Sequence, residues 1–335
     1  EAQGWGTYRW RDCNRRADFK PAASAAHFYD KKIVQDEAFT VGRRLGNFSF
    51  TPRAIQHVGD WTFCSGVNRF MLHVVVHQPD DRKPGWTHRY NGINFQRNNP
   101  WFPHAGGFVD YLQRVQAVLQ AGNPVVDVCR YQGAQMPVYP APGFEQTQLP
   151  PGYKSDTCNT DTLLNRLQVK NGRLVLPGGV SYALLVFPDE PIVTLPVLEK
   201  LQQLLEAGAR VLAPLPAGFS GRPLGPAQRE EADRIIEALW GSFDGHGPYG
   251  KKVGEGYLSW GREMETELEA MRLAPDFAYS ASVKPHVNFI HRKWGDVDYY
   301  FVANPEDVAK AGEYGFRVTG RTPQWWNPVT GKIHA

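Results

Sequence analysis

The run Ala22–Thr40, AASAAHFYDKKIVQDEAFT, constrains the fold more than any other stretch of this chain. A small-residue helical segment gives way to a lysine-rich turn and a short apolar strand over Lys32–Val34. Two carboxylates, Asp36 and Glu37, follow. Helix, turn and strand in that succession is the repeating unit of α/β architectures, which place their chemistry at the carboxyl ends of strands. Glu37 is therefore the first candidate for a catalytic acid or base. Neighbouring strand residues point to opposite faces, so Asp36 and Glu37 cannot both address one ligand. A salt-bridged carboxylate at a strand end is the plain alternative, and this stretch alone leaves it open.

The pattern continues across residues 1–121. A helical stretch lies around Ala54–Val58, a strand is expected over Arg69–His77 (RFMLHVVVH), and a long loop follows. A helix over Gly107–Ala121 places Val109, Leu112, Val115, Val118 and Leu119 on one face and stops at Gly122. This is barrel-type patterning with only about two strands, and two βα units cannot close a barrel. The opening EAQGWGTYRWRDCNRR reads as protein interior without a leader, so further sequence upstream is expected.

Residues 122–245 read as a separate α/β unit. Buried-strand runs are expected at Pro124–Arg130, Ala183–Phe187 and Arg210–Ala213, with helices at Thr160–Leu167, Leu195–Ala207 and Pro226–Trp240. Such alternation describes a doubly wound, flavodoxin-like sheet. Val169–Leu176 reads as a hairpin across Asn171-Gly172. Residues 246–335 hold the remainder of that unit and a β-rich tail, with strands at Val287–Arg292, Tyr299–Asn304 and Tyr314–Thr319.

Composition narrows the function. A net charge of +3, evenly spread, argues against nucleic acid or an anionic membrane, and no apolar run is long enough to span a bilayer. Cys13, Cys64, Cys129 and Cys158 lie far apart, which excludes a zinc ribbon and reads as buried thiols. Aromatics make up 13% of the chain, including 10 Trp, and serve either as core or as flat surfaces for sugar faces. On the Arg69–His77 strand, His73 and His77 would share a face and suit a metal, a sugar hydroxyl or the tuning of a carboxylate. The loop Pro84–His104 concentrates Trp86, His88, Arg89, Tyr90, Asn94 and Trp101, the composition of a binding loop or an ordered cover. HEXXH spacing is missing, and no GxSxG elbow, P-loop or GxGxxG follows an expected strand.

Several of these runs, in collinear order along nearly the whole chain, resemble glycoside hydrolase family 106, the α-L-rhamnosidases. They are AASAAHFYDKKIVQDEAFT, GDWTFCSGVNRFMLHVVVHQP, NGINFQRNNPWF, DYLQRVQAVLQAG, SDTCNTDTLLNRLQVKNGRLVLPGGVSYALLVFP and GRTPQWWNPVTGKI. The resemblance implies an α/β fold: the C-terminal portion of a (β/α)8 barrel, then a flavodoxin- or amidotransferase-like α/β domain, then a short β-rich tail. It implies an inverting exo-hydrolase with a carboxylate pair, in which Glu37 matches the glutamate of an AEAFT-type motif, the general base. Asn68, His73 and His77 match the VNRF…H…HQP strand at the barrel mouth, and Trp86, Asn94 and Trp101 join them as expected sugar contacts. Asp36 stands where the family usually has a small residue. The general acid and most ligands of an implied calcium ion would lie upstream of residue 1, and no metal ligand is assigned here. The resemblance also implies a periplasmic or secreted protein acting on carbohydrate, and a chain that is inactive as a fragment. A different barrel glycosidase, such as a β-galactosidase, and a non-catalytic carbohydrate-binding or scaffold protein are the rival readings.

Overall fold

A computed structural model describes residues 19–40, 48, 50–88, 92–133, 148–280, 287–306 and 308–334. Cys13, Arg89 and Tyr90 lie outside the described residues.

The first region is built on two parallel strands, β1 (Gln35–Ala38) and β2 (Arg69–Leu72), in the register Gln35–Arg69 to Ala38–Leu72. Both differ from the sequence reading. β1 begins after Val34, so Asp36 and Glu37 lie within the strand rather than beyond it. β2 stops at Leu72, five residues short of His77. Helix α1 (Phe19–Phe28) precedes β1, α2 (Pro52–Cys64) joins the strands, and α3 (Gly106–Leu119) follows. α2 starts where Thr51 caps the Ala54 amide and Pro52 takes the first helical turn, a position that needs no amide donor. α3 buries Phe108, Tyr111, Leu112, Val115 and Leu119; Val109, expected inside, is exposed. Its buried face is thus turned by about one residue, because the large rings of Phe108 and Tyr111 offer more apolar area than Val109. Among the described residues this region forms no closed barrel.

The second region carries a six-stranded sheet with spatial order Tyr249–Val253, Gly256–Trp260, Arg210–Leu212, Leu184–Val186, Val128–Tyr131 and Ser155–Cys158. All pairs are parallel except the first. Numbered along the chain, the five parallel strands run 2-1-3-4-5, the doubly wound order of flavodoxin-like sheets. Alternation along the strands divides the core in two. Cys129, Leu185, Val211 and Leu258 face α4 (Thr160–Asn165), α5 (Leu195–Glu206) and α6 (Pro226–Leu239). Val128, Leu184, Val186 and Leu212 face the other side, where Met264 and Leu268 of α7 (Met264–Ala270) cover them. Asn171 and Gly172, at φ 53° and 70°, turn the expected hairpin between Gln168–Lys170 and Arg173–Val175.

The tail centres on the hairpin Asn288–Trp294 and Val297–Ala303, whose first strand also pairs with Asn123–Pro124. A β-carbon on Gly122 would sit 2.2 Å from the Lys293 carbonyl oxygen, so the close approach there requires glycine at φ 62°. The N-terminal region is fastened to the sheet by a buried carboxylate. Asp156, on the edge strand Ser155–Cys158, accepts from Ser24 (3.0 Å) and Tyr182 (3.0 Å) and bonds His27 Nδ1 (2.7 Å). His27 and the other partners hold its carboxyl below the usual range despite full burial. No helix of the described residues is long and apolar enough to cross a membrane.

Candidate active site

Strand alternation gives the β1–β2 pair two unlike faces. Ala38, Phe70 and Leu72 turn toward α2 and α3 and enter the aromatic core with Phe39, Phe63 and Phe108. A small crevice beside the strand pair is lined by Phe19, Asp36, Glu37, Ala38, Phe39, Val58, Thr62 and Phe70. The opposite face carries Gln35, Glu37, Arg69 and Met71. Gln35 Oε1 accepts from Arg69 Nε at 2.7 Å, which aligns the two exposed chains across the register. Met71, the register partner of Glu37, is 53% exposed. Thr40 Oγ1 donates to Glu37 Oε1 at 2.5 Å, fixing one carboxylate oxygen and leaving the second for a ligand or water. Asp36 and Glu37 therefore divide between the two faces, as their adjacency requires.

Beyond Leu72 the chain continues the wall irregularly. The His73 amide donates to the Ala38 carbonyl, and Ile93, Val74 and Phe95 exchange backbone bonds that bring segment 92–95 alongside His73–Val74. Ile93 and Phe95 bury their side chains in the α2–α3 core, and Asn94 between them is fully buried. Asn99 Nδ2 donates to the Asn94 carbonyl at 2.8 Å and fixes that backbone. The His73 ring lies over Gly92, where a β-carbon would come within 2.3 Å of Nδ1, and its edge meets the His88 ring at 5.6 Å. His73 thus follows the carboxyl end of β2, with His88 edge-on to it.

The loop that follows β2 is ordered by an amide clamp that the sequence did not announce. Gln78 is buried; its Nε2 donates to the Trp86 carbonyl (2.8 Å), and its Oε1 accepts from the Trp86 amide (2.9 Å) and Asn98 Nδ2 (2.9 Å). Arg97 adds bonds to the carbonyls of Gln78 and Asp80 at 3.1 and 3.0 Å. The ring of Trp86 remains 54% exposed beside this clamp. A buried glutamine answering both backbone groups of one residue is a long-range match, and the only local signal for it is the HQP turn.

Two expected sugar contacts have other work, and a third lies off the strand. Asn68 is 1% exposed; its Oδ1 accepts from the Val34 amide (2.9 Å), and its Nδ2 donates to the Lys32 carbonyl (2.8 Å). It clips β1 to β2 instead of facing a ligand. Trp101 donates its indole N–H to the Phe50 carbonyl at 2.8 Å and meets Phe95 edge-on, so it covers the core. His77 is exposed and lies past the end of β2, so it does not share a strand face with His73.

The most displaced carboxyl in this region lies on α2 and not on the strand pair. Asp60, between α2 and α3, is pushed up to about 7 by burial and accepts a bond from the Tyr111 hydroxyl. Cys64, Cys129 and Cys158 are free and buried, and burial pushes the Cys129 thiol up, away from nucleophilic use. Among the described residues no three His, Cys, Asp or Glu side chains converge as a metal site requires, so these residues do not by themselves build a calcium cage.

Comparison with known proteins fits this arrangement. A rhamnosidase from Novosphingobium sp. PP1Y superposes with a TM-score of 0.83 at 31% identity, over 95% of this chain and 30% of that one. A β-galactosidase from Bacillus circulans sp. alkalophilus shares the fold alone, at TM-score 0.54 and 10% identity over 93% of this chain and 55% of that one. A Formosa agariphila protein named "Putative beta-glucuronidase" is 29% identical over 316 residues, 94% of this chain and 25% of its own length. The chain thus spans between a quarter and a third of the first two proteins it matches by sequence. The model of the alpha-L-rhamnosidase family matches residues 5–335, and the chain belongs to that family, glycoside hydrolase family 106.

Proposed function

We propose that this chain supplies the base-bearing part of a glycoside hydrolase that removes terminal α-L-rhamnosyl residues from plant-type polysaccharides or glycosides. The observation that carries the reading is Glu37, which sits on the strand face turned away from α2 and α3, at the carboxyl end of a parallel pair, in a chain of this family. In the proposed architecture β1 and β2 are the last strands of a (β/α)8 barrel, and Glu37 projects into its mouth. The six-stranded sheet is the flavodoxin-like domain that follows.

Inversion needs one carboxylate to activate water and a second, about 6.5–9.5 Å away, to protonate the leaving oxygen. Glu37 takes the first role. Thr40 holds one of its oxygens, and the other receives the proton of the attacking water as the C1–O bond breaks. His73 and the exposed Trp86 ring contact the sugar. The general acid belongs to a part of the longer protein outside this chain. Calcium enters the proposal only as a ligand whose cage lies elsewhere, and no step runs through it. A periplasmic or secreted location rests on the family resemblance and on substrates found outside the cell.

In the longer polypeptide, Glu37→Gln should lower kcat on an aryl α-L-rhamnoside by about 1000-fold while the melting temperature holds. Unchanged turnover would remove Glu37 from the mechanism. The chain by itself should show no measurable hydrolysis, and turnover by the isolated chain would overturn the divided-site reading.

A further inference from the structure

Phe39, directly after β1, stands in the left-handed region at φ 67°. Among the described residues, the other non-glycine positions with positive φ are Asp30, Asn171 and Arg272, all polar and exposed in turns. A buried aromatic residue in that conformation is strained, so its surroundings must hold it there. The hold is the aromatic core: the Phe39 ring lies 5.5 Å from Phe70, 6.1 Å from Phe108 and 6.3 Å from Phe95. Just before it, the Ala38 carbonyl accepts from the His73 amide at 3.0 Å, which pins the end of the strand.

The turn exchanges two side chains. Had the strand run on, Phe39 would share the face of Glu37, and Thr40 would enter the core about 10 Å farther along. The left-handed residue breaks that alternation. Ala38 and Phe39, adjacent in sequence, both enter the same core, and the Thr40 hydroxyl comes back to Glu37 Oε1 at 2.5 Å. Among the described residues this is the one hydrogen bond that the Glu37 side chain makes. Glutamate has several rotatable bonds, and without this contact the carboxylate would sample many orientations.

Resting on the function proposed above, we propose that Thr40 is a positioning residue for Glu37, delivered to it by the left-handed turn at Phe39. The aromatic core thereby sets the aim of the carboxylate. Neither residue needs to touch the sugar. With Oε1 held, Oε2 is the oxygen presented to the attacking water, and its orientation is fixed before the substrate arrives.

The test uses the longer polypeptide and an aryl α-L-rhamnoside. Thr40→Val keeps the branched shape and removes only the hydroxyl. It should lower kcat by about 10- to 100-fold and leave KM within about twofold, the mark of an interaction used in the transition state. Thr40→Ser, which restores a donor, should recover kcat to within about fivefold. In a Glu37→Gln background, Thr40→Val should change kcat by less than about twofold, because residues that act as a unit are not additive. Phe39→Leu, apolar but without the ring contacts, should lower kcat in the same direction and be masked in the same background. Thr40→Ala replaces the valine variant in the cycle should that variant melt early. A folded Thr40 variant with undiminished kcat overturns the inference and leaves the Glu37 reading standing. An undiminished loss in the Glu37→Gln background does the same, since Thr40 would then act by another route. Unaltered kcat in a folded Phe39→Leu variant overturns the part given to the turn. Full activity of Glu37→Gln alone, or no rhamnoside hydrolysis by the unaltered protein, brings down this inference and the function reading together.

Discussion

The two α/β regions of this molecule are built from similar units and end in different conditions. The six-stranded sheet is covered on both faces, by α4, α5 and α6 on one side and α7 on the other, and its central strand Leu184–Val186 is wholly buried. Among the described residues, the β1–β2 pair is covered on one face only. Its other face shows Gln35, Arg69 and Met71 to solvent, with Glu37 among them. A sheet that satisfies itself has little apolar or polar capacity left for a ligand, whereas one that remains half-covered presents its strand ends for chemistry. The candidate site lies on the second kind of sheet.

The largest effect that would sharpen this contrast belongs to the closed core. Leu198 of α5 is fully buried against the sheet, and Leu198→Ala should destabilise the chain by about 3–5 kcal/mol, as cavity-forming changes in tight cores do. Denaturant titration monitored by tryptophan fluorescence would measure it. A loss below about 1 kcal/mol would mean that this sheet is as loosely covered as the first.

The second effect is pH-dependent and lies behind the half-covered pair. Asp60 titrates near 7 when folded, against an ordinary value of 3.8. A carboxyl whose folded value is raised favours the folded state while it is protonated. That contribution is complete below about pH 4 and is lost as pH rises through 7. The difference of about three units caps the change at about 4 kcal/mol. Asp60→Asn, neutral at every pH and still able to accept from Tyr111, should flatten the stability profile between pH 4 and 8. Above pH 7 it should be more stable than the unaltered chain. Identical melting profiles for both would show that Asp60 is not held neutral in the α2–α3 core.

What the sequence revealed follows the same division. Apolar runs such as ALLVF reported the six-stranded sheet, because burial on both faces demands continuous hydrophobicity, and Asn171-Gly172 marked the turn of a separate hairpin. The edge strand Ser155–Cys158 escaped notice because its inward residue is Asp156, whose partners Ser24 and His27 lie 132 and 129 residues away. At the site, alternation correctly separated Asp36 from Glu37. Residue type misled at Asn68 and Trp101, since an amide or an indole suits a sugar or a backbone carbonyl equally well. In the sequence, segment 92–95 reads as part of a long loop, because a three-residue apolar–polar–apolar step is too short to show a period.

The smallest effect is the most discriminating for the architecture. Met71 is over half exposed on the Glu37 face, and exposed positions of this kind seldom change stability by more than about 0.5 kcal/mol. Met71→Ser should therefore leave the melting temperature of this chain nearly unmoved. In the longer polypeptide the same face is proposed to line a barrel, where inward side chains stack in layers and a polar replacement forfeits about 1–3 kcal/mol. The comparison is one substitution measured in two lengths of the same protein. Equal, negligible shifts in both would show that the face stays open to water, and the barrel placement of β1 and β2 would fall with it.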